Sequence, residues 1–567
     1  MNSIIIAVGA LVWFSLGYRI YGRLIEKRVI EPHDECSTPA VSLRDNIDFF
    51  PAKRSLLFGH HFSSIAGAGP IIGPVIAVFN FGWLGVLGWI WIGSILIGGV
   101  HDYVILMVSV KHQGASVATI AEKTMGKGTK IIFAVFLWLA LILVVSVFGV
   151  LGAVTLVEQP EVVIPSLSLI GIAVLTGYLI YRVGMGTLPA TLIGIGLLVL
   201  CIWIGYKFPV ITEHYDLKQG QIPLVIPGFH AEGAGLTLWF TVLMLYSLCA
   251  SIVPVWVLLQ PRDYLASFQL YIGLLVGFLG ICFARETLKA PSFISLNSSE
   301  GPIWPMLFVI VACGAVSGFH SLVASGTTSK QLSKESHGRM IGYGGMLLEG
   351  LLATIATLAV SAGLYWEIAP QGIDPNLVFQ TAMEKGWIVA FGYGFGNLAK
   401  SLPFLSFTSV VLFAIIMLNA FIFTTLDTGV RISRFVFTEF TNVKNMWIAA
   451  LISVGLAFIL GITNSWKAIW PVFGSCNQLI AALTLFVVTT YLIGIKKPTS
   501  YTLYPGILMV VTTICALVYQ IHRHFTAAPP KILLGSLSLV LLALALYVLY
   551  EVIVLLRRQR GGGKGNE

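Results

Sequence analysis

The chain has 567 residues, 57% hydrophobic and only 10% charged, with a mean hydropathy of +0.89. Soluble domains carry about 25% charged residues, so this composition excludes an ordinary water-soluble globule and points to a polytopic membrane protein. The formal net charge of +9 would suggest nucleic acid in a soluble chain, but here the basic residues follow the ends of apolar runs, so topology is the simpler cause and no nucleic-acid partner is expected.

Apolar runs predict about fifteen spans, near 3–22, 58–79, 83–110, 131–156, 162–181, 187–205, 234–259, 265–284, 303–324, 340–362, 403–427, 446–462, 466–492, 503–521 and 532–555. The first run lacks a basic leader and an Ala-x-Ala site, so it reads as a retained span rather than a signal peptide. Residues 114–127 form a short interfacial or loop helix, and the Gly- and Pro-rich stretch 301–326 has the composition to conceal a break or a re-entrant piece. The tail after Arg560 is expected to be disordered. None of the seven cysteines shows CxxC spacing, and all but Cys36 lie in or beside apolar spans, so no disulfide framework is expected.

Lys and Arg fall mainly in the alternate loops after spans one, three, five, seven, nine, eleven, thirteen and fifteen, with Arg285 and Lys289 as the main exceptions. The positive-inside rule then places the amino terminus outside and the carboxyl terminus in the cytoplasm.

The segment Gly59–Ala77 interrupts an apolar run with His60, His61, Ser63, Ser64, four glycines and two prolines. Helices broken at membrane depth need cover for their freed backbone groups, and in transporters such breaks commonly form substrate and ion sites. Gly67 and Gly69 permit close approach, while Pro70 and Pro74 remove amide donors. Exposed amides at a half-helix start suit a carboxylate, the serines add hydroxyl donors, and the histidines near the inner mouth can titrate close to neutral pH. The bland alternative is an interfacial histidine pair with packing glycines.

Span seven, with YSLCASIVPVWVLLQPRDY, resembles span two as a broken segment five spans away. An odd offset means opposite orientations, which predicts a first core repeat at 58–205, an external loop at 206–233 and an inverted second repeat at 234–427. Residues 1–57 would be a peripheral helix and loop, 428–556 peripheral helices and 557–567 a cytoplasmic tail.

The string Cys313–Lys330 gathers His320, Ser325, Thr327 and Thr328. Its hydroxyls suit a small hard cation such as sodium, or simply bond their own helix. His101 and Asp102 interrupt span three, Glu349 span ten, and Asp427 lies four residues before Arg431. Ionisable groups within spans are costly and usually face a pathway or partner, so His101, Asp102, Glu349 and Asp427 are proton-coupling candidates, although an Asp427–Arg431 pair has the spacing to close a helix end. Arg262 either fixes a loop with Asp263 or attracts an anionic substrate. The histidine spacing gives no zinc motif, there is no phosphate-binding loop, and no reactive constellation points to an enzyme.

Seven strings together carry a family resemblance: FGHHFSSIAGAGPIIGPVIA at 58–77, GGVHDY at 98–103, WVLLQPRDYL at 256–265, CGAVSGFHSLVASGTTSKQL at 313–332, GYGGMLLEG at 342–350, TTLDTGVRISR at 424–434 and FGSCNQLIAALTL at 473–485. The chain resembles the carbon starvation protein family, CstA, over about residues 1–490. The resemblance implies an inner-membrane transporter of bacteria or archaea, linked to peptide uptake during carbon starvation or to proton-coupled pyruvate uptake. It also implies an all-α, LeuT-like core of five plus five inverted helices with peripheral helices. The leading expectation is a secondary transporter importing a small carboxylate such as pyruvate by proton symport. A proton- or sodium-coupled peptide transporter is the alternative, and a nutrient-responsive channel or sensor is a different class. No cofactor is expected beyond a coupling ion, and a homo-oligomer remains open because lipid-facing and subunit-facing helices are equally apolar.

Overall fold

Water is absent from the bilayer core, so each backbone polar group must be satisfied inside its own segment, and long apolar runs fold as helices. The computed structural model is accordingly all-α, apart from two two-stranded pairings in loops. It describes residues 1–45, 48–125, 127–213, 220–230, 232–367, 374–443, 445–463 and 466–561. Among them, 14 helices are long and apolar enough to cross a membrane.

The helices are α1 (Ser3–Leu16), α2 (Arg54–Ile65), α3 (Gly69–Phe81), α4 (Trp83–Gly93), α5 (Gly99–Lys111), α6 (Val117–Met125), α7 (Lys127–Glu158), α8 (Val163–Tyr181) and α9 (Thr187–Lys207). There follow α10 (Ala234–Ile252), α11 (Leu259–Ala284), α12 (Ile303–Ile310), α13 (Ala312–Ala315), α14 (Gly318–Gly326), α15 (Gly344–Gly363), α16 (Phe379–Glu384) and α17 (Trp387–Ala399). The last are α18 (Phe407–Thr441), α19 (Met446–Thr463), α20 (Trp466–Gly494), α21 (Ser500–Thr526) and α22 (Ile532–Gly561). A π-helical stretch, Ser94–Gly98, joins α4 to α5 in one span.

Burial separates core from rim. The spans Arg54–Phe81, Glu335–Gly363, Phe407–Thr441 and Lys467–Gly494 are 89–94% buried along their apolar windows, whereas Thr187–Lys207 and Ile532–Val554 are 28% and 29% buried. The core is built on α7, which packs along α18 and against α10 and α20, while α8 and α9 pair at the rim.

Two faces are distinguishable. On one, Ser3 donates its backbone N–H to Glu286 O at 3.0 Å, Lys289 and Ala290 donate theirs to Ser361 O, and Trp83 to Pro291 O. On the other, Phe50 and Ala52 donate to Lys330 O and Gln331 O, Lys111 Nζ to Ile30 O at 2.8 Å, and Lys497 pairs with Glu31 at 2.5 Å. Here Asp34 accepts from the backbone N–H and Oγ of Ser336 at 2.9 and 2.7 Å, and these bonds hold its carboxyl below the usual carboxylate range.

Two elements are interrupted. The first breaks between α2 and α3, as expected for 59–77: Ala66 leaves helical geometry at φ −74, ψ 59, and Pro70 stands in the first turn of α3. The second is 303–326. Expected as a span with room for a break, it falls into α12, α13 and α14, with extended backbone at Val316 and Ser317. None of its pieces is long enough to count among the 14, which accounts for the difference from fifteen. By contrast α10 is unbroken, and residues 253–258 form the connection between two full helices, so the second interruption is not in 234–259.

Other boundaries also differ. The expected span 403–427 continues to Thr441, because Asp427 and Arg431 find partners inside the protein rather than marking a helix end. The stretch 363–396, read as loop, contains α16 and most of α17, and α17 packs on α15 and α18. The short helix expected at 114–127 is α6. Residues 562–567 of the tail lie outside the described residues.

The interrupted elements pack on each other: α3 against α12 and α13, and α2 against α14. Glycine makes this approach possible. A Cβ on Gly69 would lie 2.5 Å from Cys313 Sγ, and one on Gly73 2.5 Å from the Ile310 carbonyl oxygen. Gly73→Leu is therefore expected to destabilise the fold by about 1–3 kcal/mol, read as a lower unfolding temperature in detergent. Gly88→Ala, where a Cβ meets nothing within 4 Å, should leave that temperature unchanged or slightly raised. Equal behaviour of the two variants would contradict the close crossing.

Candidate functional site

Successive residues of a helix point about 100° apart, and the pair His60–His61 on α2 uses this to serve two polar networks. His60 Nδ1 pairs with Asp263 Oδ2 at 2.6 Å. Asp263 Oδ1 accepts from Arg262 Nη2 at 2.7 Å and Nε at 3.1 Å. Arg262 Nη1 pairs with Asp427 Oδ2 and donates to Tyr246 OH at 2.8 Å, and Tyr246 OH donates to Asp427 Oδ2 at 2.6 Å. Ser64 Oγ adds a bond to Asp263 Oδ2 at 3.2 Å, and Ser63 Oγ one to the Asp263 carbonyl at 2.8 Å. On its other side His60 Nε2 lies 3.3 Å from Gln331 Nε2. Gln331 Oε1 accepts from Gln260 Nε2 at 3.0 Å. Arg262, Asp263, Asp427 and His60 are fully buried.

The second network joins α5, α14 and α15. Asp102 pairs with His101 Nδ1 at 2.7 Å and with His320 Nδ1 at 2.8 Å. His320 Nε2 reaches Glu349 Oε2 at 3.1 Å, and neither Glu349 oxygen makes a hydrogen bond. His61 pairs with Thr328 Oγ1 at 2.8 Å and lies within electrostatic reach of Asp102 and His320 on one side and His60 on the other.

The residues expected from sequence thus divide between these networks and the helix breaks. Gly67 is packed against Thr425, where a Cβ would lie 2.6 Å from Oγ1. The proposed Asp427–Arg431 helix pair is not formed: Asp427 turns to Arg262 and Tyr246, whereas Arg431 pairs with Asp48 at 3.3 Å and donates to the Val253 carbonyl. Arg262 and Asp263 do not fix a surface loop but stand buried near the start of α11. Of the hydroxyls considered for a cation, Ser325 Oγ donates to Ser321 O at 2.7 Å and Thr327 Oγ1 to Val323 O at 3.0 Å, both within α14 and its end. Among the described residues, no cluster of three or more His, Cys, Asp or Glu is arranged to hold a metal ion.

Sequence reasoning missed several partners. Asp263, read from sequence only as a loop partner of Arg262, is the hub of the first network, and Tyr246 and Gln331, which were missed, complete it. Asn477 of α20 braces the second break: its Oδ1 accepts from Phe319 N–H at 2.8 Å, and its Nδ2 donates to Ser317 Oγ at 3.0 Å. Asn477 stood in a recognisable string, FGSCNQLIAALTL, but nothing local marks it as a cap for a segment 158 residues away. Where the breaks meet, a small cavity of about 10 Å³ is lined by Gly67, Gly69, Phe148, Cys313, Ser317 and Thr425, among others. Thr425 Oγ1 is buried there without a hydrogen-bond partner.

The family model described as "Carbon starvation protein CstA" matches residues 2–383 and 376–516. This chain belongs to the CstA family. A relative from Mycobacterium tuberculosis, "Peptide transporter CstA", is 31% identical, over 93% of this chain and 76% of its own length. One of the same name from Bacillus subtilis is 29% identical, over 98% and 97%. "Pyruvate/proton symporter BtsT" of Escherichia coli is 32% identical, over 91% and 81%. CstA-family membership makes the chain a multi-pass membrane transporter of small metabolites and not an enzyme. In fold it is similar to a manganese transporter from Eremococcus coleocola, with a TM-score of 0.52 at 11% identity, over 92% of this chain and 99% of that one.

The networks make stability sensitive to single changes. Asp263→Leu leaves Arg262 with one fewer carboxylate and is expected to cost about 3–5 kcal/mol, as removal of one partner of a buried pair does. Asn477→Ala, which strands the Phe319 N–H, should cost about 1–3 kcal/mol. Both are read by unfolding in detergent, and an unchanged midpoint for either would remove that residue from the scaffold.

Proposed function

We propose that this CstA-family chain is a proton-coupled secondary transporter of short peptides. The observation that carries the coupling is the charge count of the two buried networks. With histidines neutral, Arg262 faces Asp263 and Asp427, leaving one negative charge over, while Asp102 and Glu349 pair with His101 and His320 and have His61 at longer range. Uncompensated charge inside a membrane protein is costly, so each network gains by taking up a proton, in the second at His320 or Glu349. Both networks adjoin the interrupted helices, where a proton taken up or released changes the contacts that hold α2 against α11 and α14 against α5. The hydroxyls near the end of α14 offer sodium a weaker set, because Ser325 and Thr327 already bond their own helix.

The peptide reading rests on the relatives of M. tuberculosis and B. subtilis, whose names state peptide transport. A second reading, a small carboxylate such as pyruvate, is favoured by the E. coli pyruvate/proton symporter, 32% identical to this chain. In either case Thr425, whose Oγ1 is buried without a partner, and the amides at the start of α3 are the groups proposed to meet a carboxylate.

The architecture that fits this mechanism is a LeuT-like core of two inverted halves, with membership different from the one read from sequence. The first half comprises α2/α3, α4–α5, α7, α10 and α11. The second comprises α12–α14, α15, α18, α19 and α20. Three correspondences support it: each half begins with an interrupted element, each has short helices before its third span (α6, and α16–α17), and the two third spans, α7 and α18, pack along each other. The α8–α9 hairpin is then an insertion. The basic loops place the amino terminus outside and the carboxyl terminus in the cytoplasm of a cell inner membrane.

The deciding experiment is uptake of labelled dialanine and labelled pyruvate into proteoliposomes under imposed proton and sodium gradients. Dialanine should accumulate above equilibrium when the outside is acidic, and a sodium gradient alone should not drive it. Pyruvate accumulation without dialanine uptake would move the assignment to the second reading, and flux that stops at equilibration would indicate a channel. Glu349→Gln should lower proton-driven accumulation by roughly tenfold or more, about 1.4 kcal/mol of lost coupling, while leaving solute exchange at equal pH in place. Equal loss of both activities would remove Glu349 from coupling.

A further inference from the structure

On the face opposite the basic loops, two adjoining cavities open between α12, α20 and α21. The deeper, about 70 Å³, is lined by Ile76, Ile310, Trp387 and Trp470, together with Glu300, Lys467 and Pro471. The outer, also about 70 Å³, shares those last three residues and adds Gln520, Arg523, His524 and Lys531. The two follow one another along α20 toward the helix breaks: Lys467 lies at the mouth, Trp470 at the middle, and Phe473 lines the cavity where the breaks meet.

The chemistry of the outer cavity is unusual for this face. Lys467, Arg523 and Lys531 gather there. Arg523 Nη1 pairs with Glu300 Oε2 at 3.0 Å, and Lys467 is also within electrostatic reach of Glu158. Three cations against two carboxylates leave one positive charge over. Two further polar atoms are buried without a partner. His524 is 6% exposed and its Nε2 makes no hydrogen bond; Gln520 is 1% exposed, and although its Nε2 donates to Pro471 O and Ser475 Oγ, its Oε1 makes none. Buried polar groups are ordinarily satisfied, so an orphaned imidazole nitrogen and amide oxygen lining one cavity beside surplus positive charge have the character of a prepared ligand site.

We propose that this vestibule is a second binding site, taking the free carboxylate of a solute between Lys467, Lys531 and His524. The surplus charge matches one carboxylate, and the unpartnered Gln520 Oε1 and the Glu300 carboxylate offer acceptors to an amino group on the same solute. A dipeptide satisfies both ends; pyruvate satisfies the carboxylate end. The inference rests on the transporter reading only for the site's role as an entrance.

The test is equilibrium binding of labelled dialanine and labelled pyruvate to the purified full-length chain in micelles, with stoichiometry as the readout. The expected result is two equivalents per chain for at least one of the two probes. The variant K467Q/K531Q, both of whose side chains lie at the protein surface, should retain one equivalent and weaken the other by about tenfold or more, the effect of losing hydrogen bonds to a charged group. Dialanine amide, which lacks the carboxylate, should bind with no more than one equivalent. One equivalent in wild type and variant alike, or two equivalents of the amide, would overturn the proposal, as would loss of the second equivalent on adding phosphatidylglycerol, which would assign the cavity to a lipid headgroup. Two equivalents bound without gradient-driven accumulation in liposomes would keep the vestibule and reject the transport mechanism.

Discussion

Arg262 is a permanent charge with no access to water, and much of the core is arranged around it. A guanidinium remains protonated in any protein environment, and burying it unpaired is prohibitive. Asp263 from its own helix, Asp427 from α18 and the Tyr246 hydroxyl from α10 therefore converge on it. This convergence ties α11, α18 and α10 together, and through His60 it draws in α2. The same constraint explains why α18 runs on through a charged stretch: Asp427 and Arg431 are accommodated by distant partners, so the helix has no reason to stop at them.

The interrupted helices pose the complementary problem of free backbone groups rather than free charge. At the first break α18 supplies cover, with Thr424 Oγ1 donating to Ser63 O at 2.9 Å and Thr425 against Gly67. At the second, α20 supplies it through Asn477. The freed backbone is thus buried in protein, as irregular structure at membrane depth must be, and the two breaks are held face to face by glycines that admit no side chain. Likeness in fold to a manganese transporter at 11% identity shows that this fold accommodates very different sequences.

Charge is distributed unevenly along the path through the protein. The two histidine–carboxylate networks lie between the breaks and the face with the basic loops, since α2 begins at Arg54 on that face and reaches its break a little over three turns later. The Lys467–Lys531 vestibule lies at the other face. On the transport reading proposed above, a solute carboxylate would enter at the vestibule and pass Trp470 toward the breaks, while protons bind at the two networks.

By itself the sequence determined the membrane class, most of the helices, the break at Gly59–Ala77 and the family. These are carried by local features: apolar run length, a Pro–Gly cluster and long unusual strings. It also marked out several of the charged groups later found buried, among them Asp102, Arg262, Glu349 and Asp427, because ionisable residues within apolar runs are conspicuous. Only the tertiary structure decided which of them pair. Asp427 has Arg431 one turn away and binds Arg262 instead, 165 residues earlier in the chain; the second interruption lies at 303–326 rather than at the similar-looking 234–259; and Asn477 caps a break in another element. Such choices depend on which helices touch. Helix contacts in a membrane are set by small residues, burial and long-range polar pairing, none of which a hydropathy pattern encodes, because a helix face that meets lipid and one that meets protein are equally apolar.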